Sequence, residues 1–510
     1  MGAGGDVRKR QQDVRPHAGL PTGPGVQTVA SMRLLRALVV LVALVGCRKG
    51  ADAPAVVSPS HVADGGSPST PPPAPDAGAV DAGTPPDAGP VDAGPDAHRI
   101  GGLGLGPFPA DPLTIYGSAQ GLLEAPISAS VDEGENLWVV TERALYLLAP
   151  GGKLFRRYTA QDGLHYGPGY TEPPDITLVE GGSKGECFVG YFARDTNSSM
   201  FKDAHMWTDP WAHLGKMDQV LLQPDGSLKV NRYDLRNSND GHYYETRTIM
   251  SMVYDHFQHP GNLYVGSNHG VTRIVPAKYY PPPHLDVDPF NTFDERQWYA
   301  DHVHPWVCIG GPCDGARVST FGDWFGLTLA PDGRLWMGGL TNAGAIGFKD
   351  KLEDWVQSWQ PVNPFVPAFE WPPVYLPARM GDPVNIRGVA VTHDGMAWFV
   401  SGGAEGWRSP HYGIAAWDGK RFTYFDPIAL GAVEDNVLEV QALDDGRLLF
   451  GFAGSGLMVW EPGEKKARRI TQRDGLPGER IGRIAQDRMH DPPLLLVPTD
   501  GGLALFRSLP

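Results

Sequence analysis

The sequence predicts an all-β protein, a seven-bladed β-propeller closed by its own N-terminal strand, and three observations predict it. One turn-and-strand unit recurs down the chain. Val131–Thr141 reads VDEGENLWVVT, and variants return as HPGNLYVG (His259–Gly266), PDGRLWMGG (Pro331–Gly339), HDGMAWFVS (His393–Ser401) and DDGRLLFGF (Asp444–Phe452). Degenerate copies stand at Gly182–Tyr191 and His490–Thr499. Asp-Gly or Pro-Gly between apolar runs signals a hairpin, because Gly accepts the positive φ such turns need. Recurrence every roughly 45–70 residues marks one supersecondary unit repeated, and a four-stranded blade fits that spacing. The second observation is an exit motif after the fourth strand, TAQDGL at Thr159–Leu164, which returns as ITQRDGL at Ile470–Leu476 and YGSAQGL at Tyr116–Leu122. The third is that the two ends complement each other. The N-terminal copy is a fourth strand with no preceding three, and the C-terminal unit Ile484–Arg507 offers three strands with no fourth. Pairing them removes both exposed edges.

The chain is read in four parts. Residues 1–31 form an upstream leader, expected to be disordered or untranslated, with Met32 as the alternative start. Residues 32–47 carry a short basic region (Met32 to Arg36) and an apolar run ALVVLVALVG ending at Cys47. That run falls short of the about 20 apolar residues that span a bilayer and instead matches a signal peptide. Residues 48–105 are Pro, Ala, Asp, Gly and Ser with a loose PDAG repeat. With almost nothing large and apolar to bury, this linker cannot offset its ordering entropy and is expected to be a disordered, semi-extended tether. Residues 106–510 form the propeller.

Within that last part, blade one is the clearest, with strands expected at Ile127–Val131, Leu137–Val140, Ala144–Leu148 and Leu154–Tyr158. Further units begin near Ile176, Met250, Phe325, Ile386 and Val437, and with the C-terminal unit they make seven. Third strands open on a small or polar pair, then Gly and an aliphatic, as in Asn268-His269-Gly270-Val271 and Gly454-Ser455-Gly456-Leu457.

These motifs together (DGL, an apolar strand, DGNLW, a Gly-led third strand and a fourth ending in Tyr-Thr) resemble the two-component-regulator-type propeller repeats, over roughly Leu113–Arg507. The resemblance implies a periplasmic sensor-like domain, but the sequence carries no kinase or DNA-binding domain, so no signalling output follows from it. Leu44-Val45-Gly46-Cys47 likewise resembles the bacterial lipobox, which implies cleavage before Cys47 and lipidation of that residue. The expected address is therefore a lipoprotein of the cell envelope, at the outer membrane or facing the periplasm, anchored to the membrane by lipid.

Composition narrows the function. The 510 residues are 41% hydrophobic and 20% charged, as in ordinary globular proteins, with a formal net charge of −15. An acidic chain lacks the basic footprint that phosphate backbones require, so no nucleic-acid partner is expected. Four cysteines exclude a disulfide-rich scaffold. Cys308 and Cys313 flank a CIGGPC turn in an exported chain and are expected to form a disulfide, while Cys187 is expected to stay a buried free thiol. No zinc-protease, Walker or dinucleotide motif occurs, and no cofactor or metal is expected. Gly181–Gly185 matches G-x-S-x-G as text but falls on a hairpin turn rather than the strand-to-helix elbow that motif needs. Asp301, His302 and His304 are metal-capable residue types, read here as loop residues. The Asp of each DG turn is read as structural.

Insertions point to a face. They fall at Phe192–Leu214, Pro361–Val384 and Gly402–Tyr412, at connections between second and third strands or between blades, whereas the DG turns at the other end are short. The stretch Pro276–Gly322 could reach either end. These loops carry the candidate ligand-binding residues Trp207, Trp211, Trp371, Tyr375, Arg379, Trp407, Arg408, His411 and Tyr412. Aromatics and arginines on loops held by a rigid scaffold are the usual makings of a recognition surface. The expectation is a non-enzymatic propeller that binds an envelope protein or glycan there. The alternative is a propeller-type enzyme, such as a polysaccharide or lactone lyase or hydrolase, with its site at the central channel; titratable side chains converging there would favour it.

Overall fold

The structure is a computed structural model, and it describes residues 102–164, 176–192, 217–233, 248–268, 270–276, 298–303, 306–308, 317–319, 324–339, 343–347, 360–362, 386–402 and 413–510. All of these belong to one compact unit, Pro90–Pro510. Residues 1–101, including Cys47 and most of the linker, lie outside the described residues. The last four linker residues, 102–105, are described and, against the expectation of disorder, dock on blade seven, where Leu103 N–H donates to Met489 O at 3.2 Å and Gly104 O accepts from Asp491 N–H at 3.0 Å. Among the described residues no helix is long and apolar enough to cross a membrane.

Strand pairing gives seven four-stranded antiparallel sheets. The chain opens with β1 (Leu113–Tyr116). Blade one is β2 (Ser128–Val131), β3 (Leu137–Val140), β4 (Leu145–Leu148) and β5 (Arg156–Tyr158); blade two is β6 (Ile176–Gly181), β7 (Glu186–Tyr191), β8 (Met217–Leu222) and β9 (Leu228–Tyr233). Blade three is β10 (Ile249–Tyr254), β11 (Leu263–Ser267), β12 (Val271–Pro276) and β13 (Trp298–Val303), followed by a hairpin of β14 (Trp306–Cys308) and β15 (Arg317–Ser319). Blade four is β16 (Gly326–Leu329), β17 (Leu335–Gly338), β18 (Ala343–Ile346) and β19 (Gln360–Val362). Blade five is β20 (Ile386–Val391), β21 (Ala397–Ser401), β22 (Ile414–Trp417) and β23 (Phe422–Phe425); blade six is β24 (Val437–Ala442), β25 (Leu448–Phe452), β26 (Leu457–Trp460) and β27 (Arg468–Ile470). Blade seven holds β28 (Ala485–Asp487), β29 (Leu494–Thr499) and β30 (Gly502–Phe506), and its fourth strand is β1. Leu113 faces Phe506 and Tyr116 faces Leu503, so the N-terminal strand closes the ring as the sequence predicts.

The second strands are almost wholly apolar because both faces of a blade are buried. Leu137 and Val139 pack with Leu494, Leu496 and Leu505 of blade seven, while Trp138 and Val140 pack with Val179 and Val189 of blade two. The same division repeats at every seam, so seven seam clusters replace a single core. Close approach needs glycine at the end of the second strand. A Cβ on Gly338 would stand 2.4 Å from Ile386 Cγ2 of the next blade.

The turns follow the side-chain chemistry that the sequence implies. Asp132 accepts from the N–H of Gly134 at 2.7 Å and from the Trp138 indole at 2.8 Å, and Asp255 accepts from three successive N–H groups. The DGL exit is a capped 3-10 turn. Thr159 accepts from Gln161 N–H, Asp162 accepts from Thr159 N–H, and Gly163 takes φ 100° at the end. Cys187 is a buried free thiol whose pKa burial raises well above the ordinary value, with Asp132 adding to the effect.

Two expectations need correction. Pro276–Gly322 is not one insertion: β13 divides it, leaving 277–297 between third and fourth strands and 304–325 between blades three and four. The end of the ring bearing the DG turns is also not uniformly short. Segments 277–297 and 347–359 join third to fourth strands and so emerge at that end. A third-to-fourth connection carries no Asp-Gly signal, which is why the sequence hid it.

Candidate functional site

The antiparallel order fixes which end each connection serves. First-to-second and third-to-fourth connections emerge at one end; second-to-third connections and those between blades emerge at the other. Segment 193–216 joins β7 to β8, 363–385 joins β19 to β20, and 403–412 joins β21 to β22, all at this second end. Trp207 and Trp211 belong to the first, Trp371, Tyr375 and Arg379 to the second, and Trp407, Arg408, His411 and Tyr412 to the third; all nine lie outside the described residues. So do Cys313 and the side chain of Cys308. Asp301 and His302 fall on β13 rather than in a loop, with side chains outside the description. Among the described residues no group of three or more His, Cys, Asp or Glu is placed to hold a metal ion.

The innermost strands bring together a group that sequence reasoning missed. β2 packs on β6, β6 on β10, β10 on β16, β16 on β20 and β20 on β24, around the ring axis. Being innermost, each presents one edge with no strand partner, and unpaired carbonyls there need donors. Serine supplies some: Ser251 Oγ donates to Trp324 O at 2.7 Å. Arg483 supplies two more. Its N–H donates to Ile127 O at 2.8 Å, and a parallel bridge to Ser128 fixes its backbone at the seam of blades seven and one. Its guanidinium crosses to the far side, donating to Met250 O at 2.5 Å and Phe325 O at 2.6 Å. One side chain thus ties blade seven to the starts of blades three and four.

Two carboxyls on inner strands feel the charge of this guanidinium. Glu180 on β6 accepts from Tyr254 N–H at 3.0 Å, and Glu439 stands on β24. Both are half-buried. Burial pushes the Glu180 carboxyl up to about 7 against the Tyr254 N–H and the positive fields of His256 and Arg483. Burial likewise pushes Glu439 up to about 7, opposed by Arg483 and Arg387. Arg387 lies 3.9 Å over the Phe325 ring, and its Nε donates to Gly402 O at 3.3 Å. Near the DG-turn end of the ring, His256 Nδ1 is 3.3 Å from Glu133 Oε1, and Tyr254 OH is 2.9 Å from Ser183 Oγ. The G-x-S-x-G serine is therefore a turn residue bonded to a neighbouring blade.

A signal for this group did exist in the sequence. β6, β20 and β24 read ITLVEG, IRGVAV and VLEVQA, and IGRI leads into β28, each with one charge in an otherwise largely apolar run. A charge there costs too much to be incidental unless it finds partners along the axis.

No protein-family model matches the chain, and no curated protein is similar to it in sequence. Solved structures of related shape include the extracellular domain of a hybrid two-component system from B. thetaiotaomicron, at 13% identity and TM-score 0.45. That match covers 77% of this chain and 41% of the other, so this chain spans less than half of that neighbour's length. Another is a catalytically inactive virginiamycin B lyase from Staphylococcus aureus with quinupristin, at 10% identity and TM-score 0.43, covering 77% of this chain and 98% of that one. A streptogramin B lyase matches at 9% identity and TM-score 0.44, over 77% and 97% of the two chains. The seven-bladed ring stands on this chain's own strand pairing.

Proposed function

We propose that this protein is a binding propeller of the cell envelope, built from repeats of the two-component-regulator type and held to a membrane by lipid at Cys47. Its ligand or protein partner is taken on the end bearing segments 193–216, 363–385 and 403–412. One observation supports the reading: β7, β19 and β21, the strands that lead into these three connections, all end at the same end of the ring. Such residues carry most of the energy of contact surfaces, and loss of one central anchor costs about 2 kcal/mol or more. The test is affinity capture from envelope extract with Trp371→Ala, Trp407→Ala and Arg408→Ala, using Arg334→Ala in a DG turn as control. Loss of a partner in the loop variants alone supports the reading. Retention in all three, with loss in Arg334→Ala, overturns it. Anchoring is tested separately by Cys47→Ser, which should leave the membrane fraction, and the Cys308–Cys313 bridge by alkylation without reductant.

A second reading, an enzyme acting on a polysaccharide or lactone at the channel, has one observation in its favour. Glu180 and Glu439 carry proton affinities near neutrality, as general acids do, close to the guanidinium of Arg483. Against it, Arg483 and Glu180 already bond backbone groups of the ring itself. Turnover of such a substrate by purified protein, abolished by Glu439→Gln, would replace the binding reading.

A further inference from the structure

We propose that residues 103–109 form a proton-sensitive strap on the ring, closed over His490 while that histidine is an imidazolium and loosened when it is neutral. The inference does not depend on what binds at the looped end.

The geometry carries it. His490 lies in the turn between β28 and β29, and its side chain has no accessible surface. Its Nδ1 is 2.5 Å from Oδ2 of Asp487, and its Nε2 is 3.7 Å from Oε1 of Glu135, in the first turn of blade one. One imidazole thus stands between two carboxylates, which suits a ring protonated at both nitrogens, because charged donors make the stronger bonds to carboxylates. In the neutral ring Nδ1 keeps its proton for Asp487, and Nε2 becomes a buried acceptor turned towards another acceptor. Among the described residues no donor reaches it. A buried polar atom left unmet favours the conformation that lets water in.

The strap is what shuts water out. A Cβ on Gly106 would stand 2.2 Å from His490 Nε2 and 3.0 Å from Glu135 Oε1, and Gly106 takes φ +58°, so glycine alone lets the chain pass over this nitrogen. Phe108 packs edge-on against the same imidazole, with ring centroids 5.3 Å apart. Residues 102–106 are all exposed, so one thickness of chain separates the imidazole from solvent. The strap forms no strand with the ring. It is held by the bonds of Leu103 N–H to Met489 O and Asp491 N–H to Gly104 O, and by Arg507, which donates to the carbonyls of Leu105, Phe108 and Pro109. β1, just after it, is paired along its whole length with β30. The strap can therefore lift while the ring stays closed.

The other charges nearby do not compete for this role. Asp487 faces His490 from β28 and Glu135 faces it from blade one, while residues 103–109 carry no titratable side chain. Arg507, at the end of β30, keeps its charge at every relevant pH, and burial raises the pKa of Tyr116 on β1 above its ordinary value. In the turn of His490 itself, Asp491 is exposed and Arg488 is turned to Asp444, with Nε 3.5 Å from Oδ1. Histidine is the side chain whose charge changes between pH 5 and 8. Lifting the strap uncovers an imidazole already oriented by a carboxylate, beside the seat that Phe108 leaves between blades seven and one.

The test is hydrogen–deuterium exchange of the full chain at pH 5.5 and 8, read by mass spectrometry in peptides covering 102–112 and 113–117 and corrected for base catalysis. Corrected exchange of the strap peptide should be at least about threefold faster at pH 8, as for an opening linked to one proton, with β1 protected at both. His490→Gln should remove the pH dependence, and Glu135→Gln should loosen the strap already at pH 5.5. Gly106→Ala should expose it at both pH values. A corrected strap rate that is the same at pH 5.5 and 8 in the unmodified protein overturns the proposal, as does a pH dependence that persists in His490→Gln. Acceleration of β1 in step with the strap also overturns it, since the ring itself would then be loosening, and so does a Gly106→Ala rate equal to that of the unmodified protein at pH 5.5. Should His490→Gln fail to fold, the unmodified protein and Glu135→Gln decide the matter.

Discussion

Moving the protein from pH 5 to pH 8 is expected to weaken the ring. Glu180 and Glu439 have pKa values of about 7 in the fold, against an ordinary 4.5, because burial penalises their charged forms more than neighbouring donors and cations compensate. A group whose pKa is higher in the fold binds its proton more tightly there. The resulting stability is complete below the unfolded value and is lost as pH rises through the folded one. By linkage such a rise is worth about 3 kcal/mol for a single group. Both side chains keep some exposure and share the field of Arg483, so about 3 kcal/mol for the pair is the working figure. Asp132 acts in the same sense, since burial raises its pKa against hydrogen bonds from Trp138 and Asn136. Glu124 falls outside the window. Burial opposes its ionisation, but hydrogen bonds from Arg157, Tyr146 and Thr141 hold its pKa low. The assay is urea denaturation at pH 5, 6, 7 and 8, for the unmodified protein and for Glu180→Gln and Glu439→Gln. The midpoint should fall with pH in the unmodified protein and flatten in the variants. A midpoint that rises from pH 5.5 to 8, or glutamine variants that keep the full slope, would refute the reasoning.

Two further outcomes are expected. Gly338→Ala should cost about 1–3 kcal/mol by overpacking, because its Cβ meets Ile386 Cγ2 at 2.4 Å and Val389 Cγ2 at 2.7 Å, and a lowered thermal midpoint checks it. Cys187 should resist alkylation in the folded protein and react on unfolding, since it is fully buried with a raised pKa; rapid native labelling would contradict its place in the seam.

Repeats made the ring legible. Asp132 and Asp445 advertise their turns because the turn itself demands an acceptor close to a glycine, whereas Asp255, six residues before Gly261, gives no such local sign. The unmatched ends, Leu113–Tyr116 and β28–β30, likewise announce their pairing, since an open edge would be exposed on each. Residues whose role depends on the far side of the ring are a different matter. Arg483 lies 233 positions along the chain from Met250, and nothing local to either residue signals their bond. β13 escaped notice for a related reason: a fourth strand reached by a long connection has no tight turn to mark it. Nor did the sequence reveal the docking of residues 102–112. There Arg507 donates to the carbonyls of Leu105, Phe108 and Pro109, and Phe108 is buried in the seam of blades seven and one.

The central claim is a seven-bladed ring that depends on β1 for closure, and paired truncations measure it most directly. A chain beginning at Gly102 keeps the docked segment and β1; a chain beginning at Ser118 lacks both β1 and its pairing with β30. In sedimentation velocity with parallel thermal unfolding, the first should remain a folded single species with the full-length melting transition. The second should expose the edge of β30 and aggregate or lose its cooperative transition. Indistinguishable sedimentation and melting of the two truncations would contradict closure by the N-terminal strand.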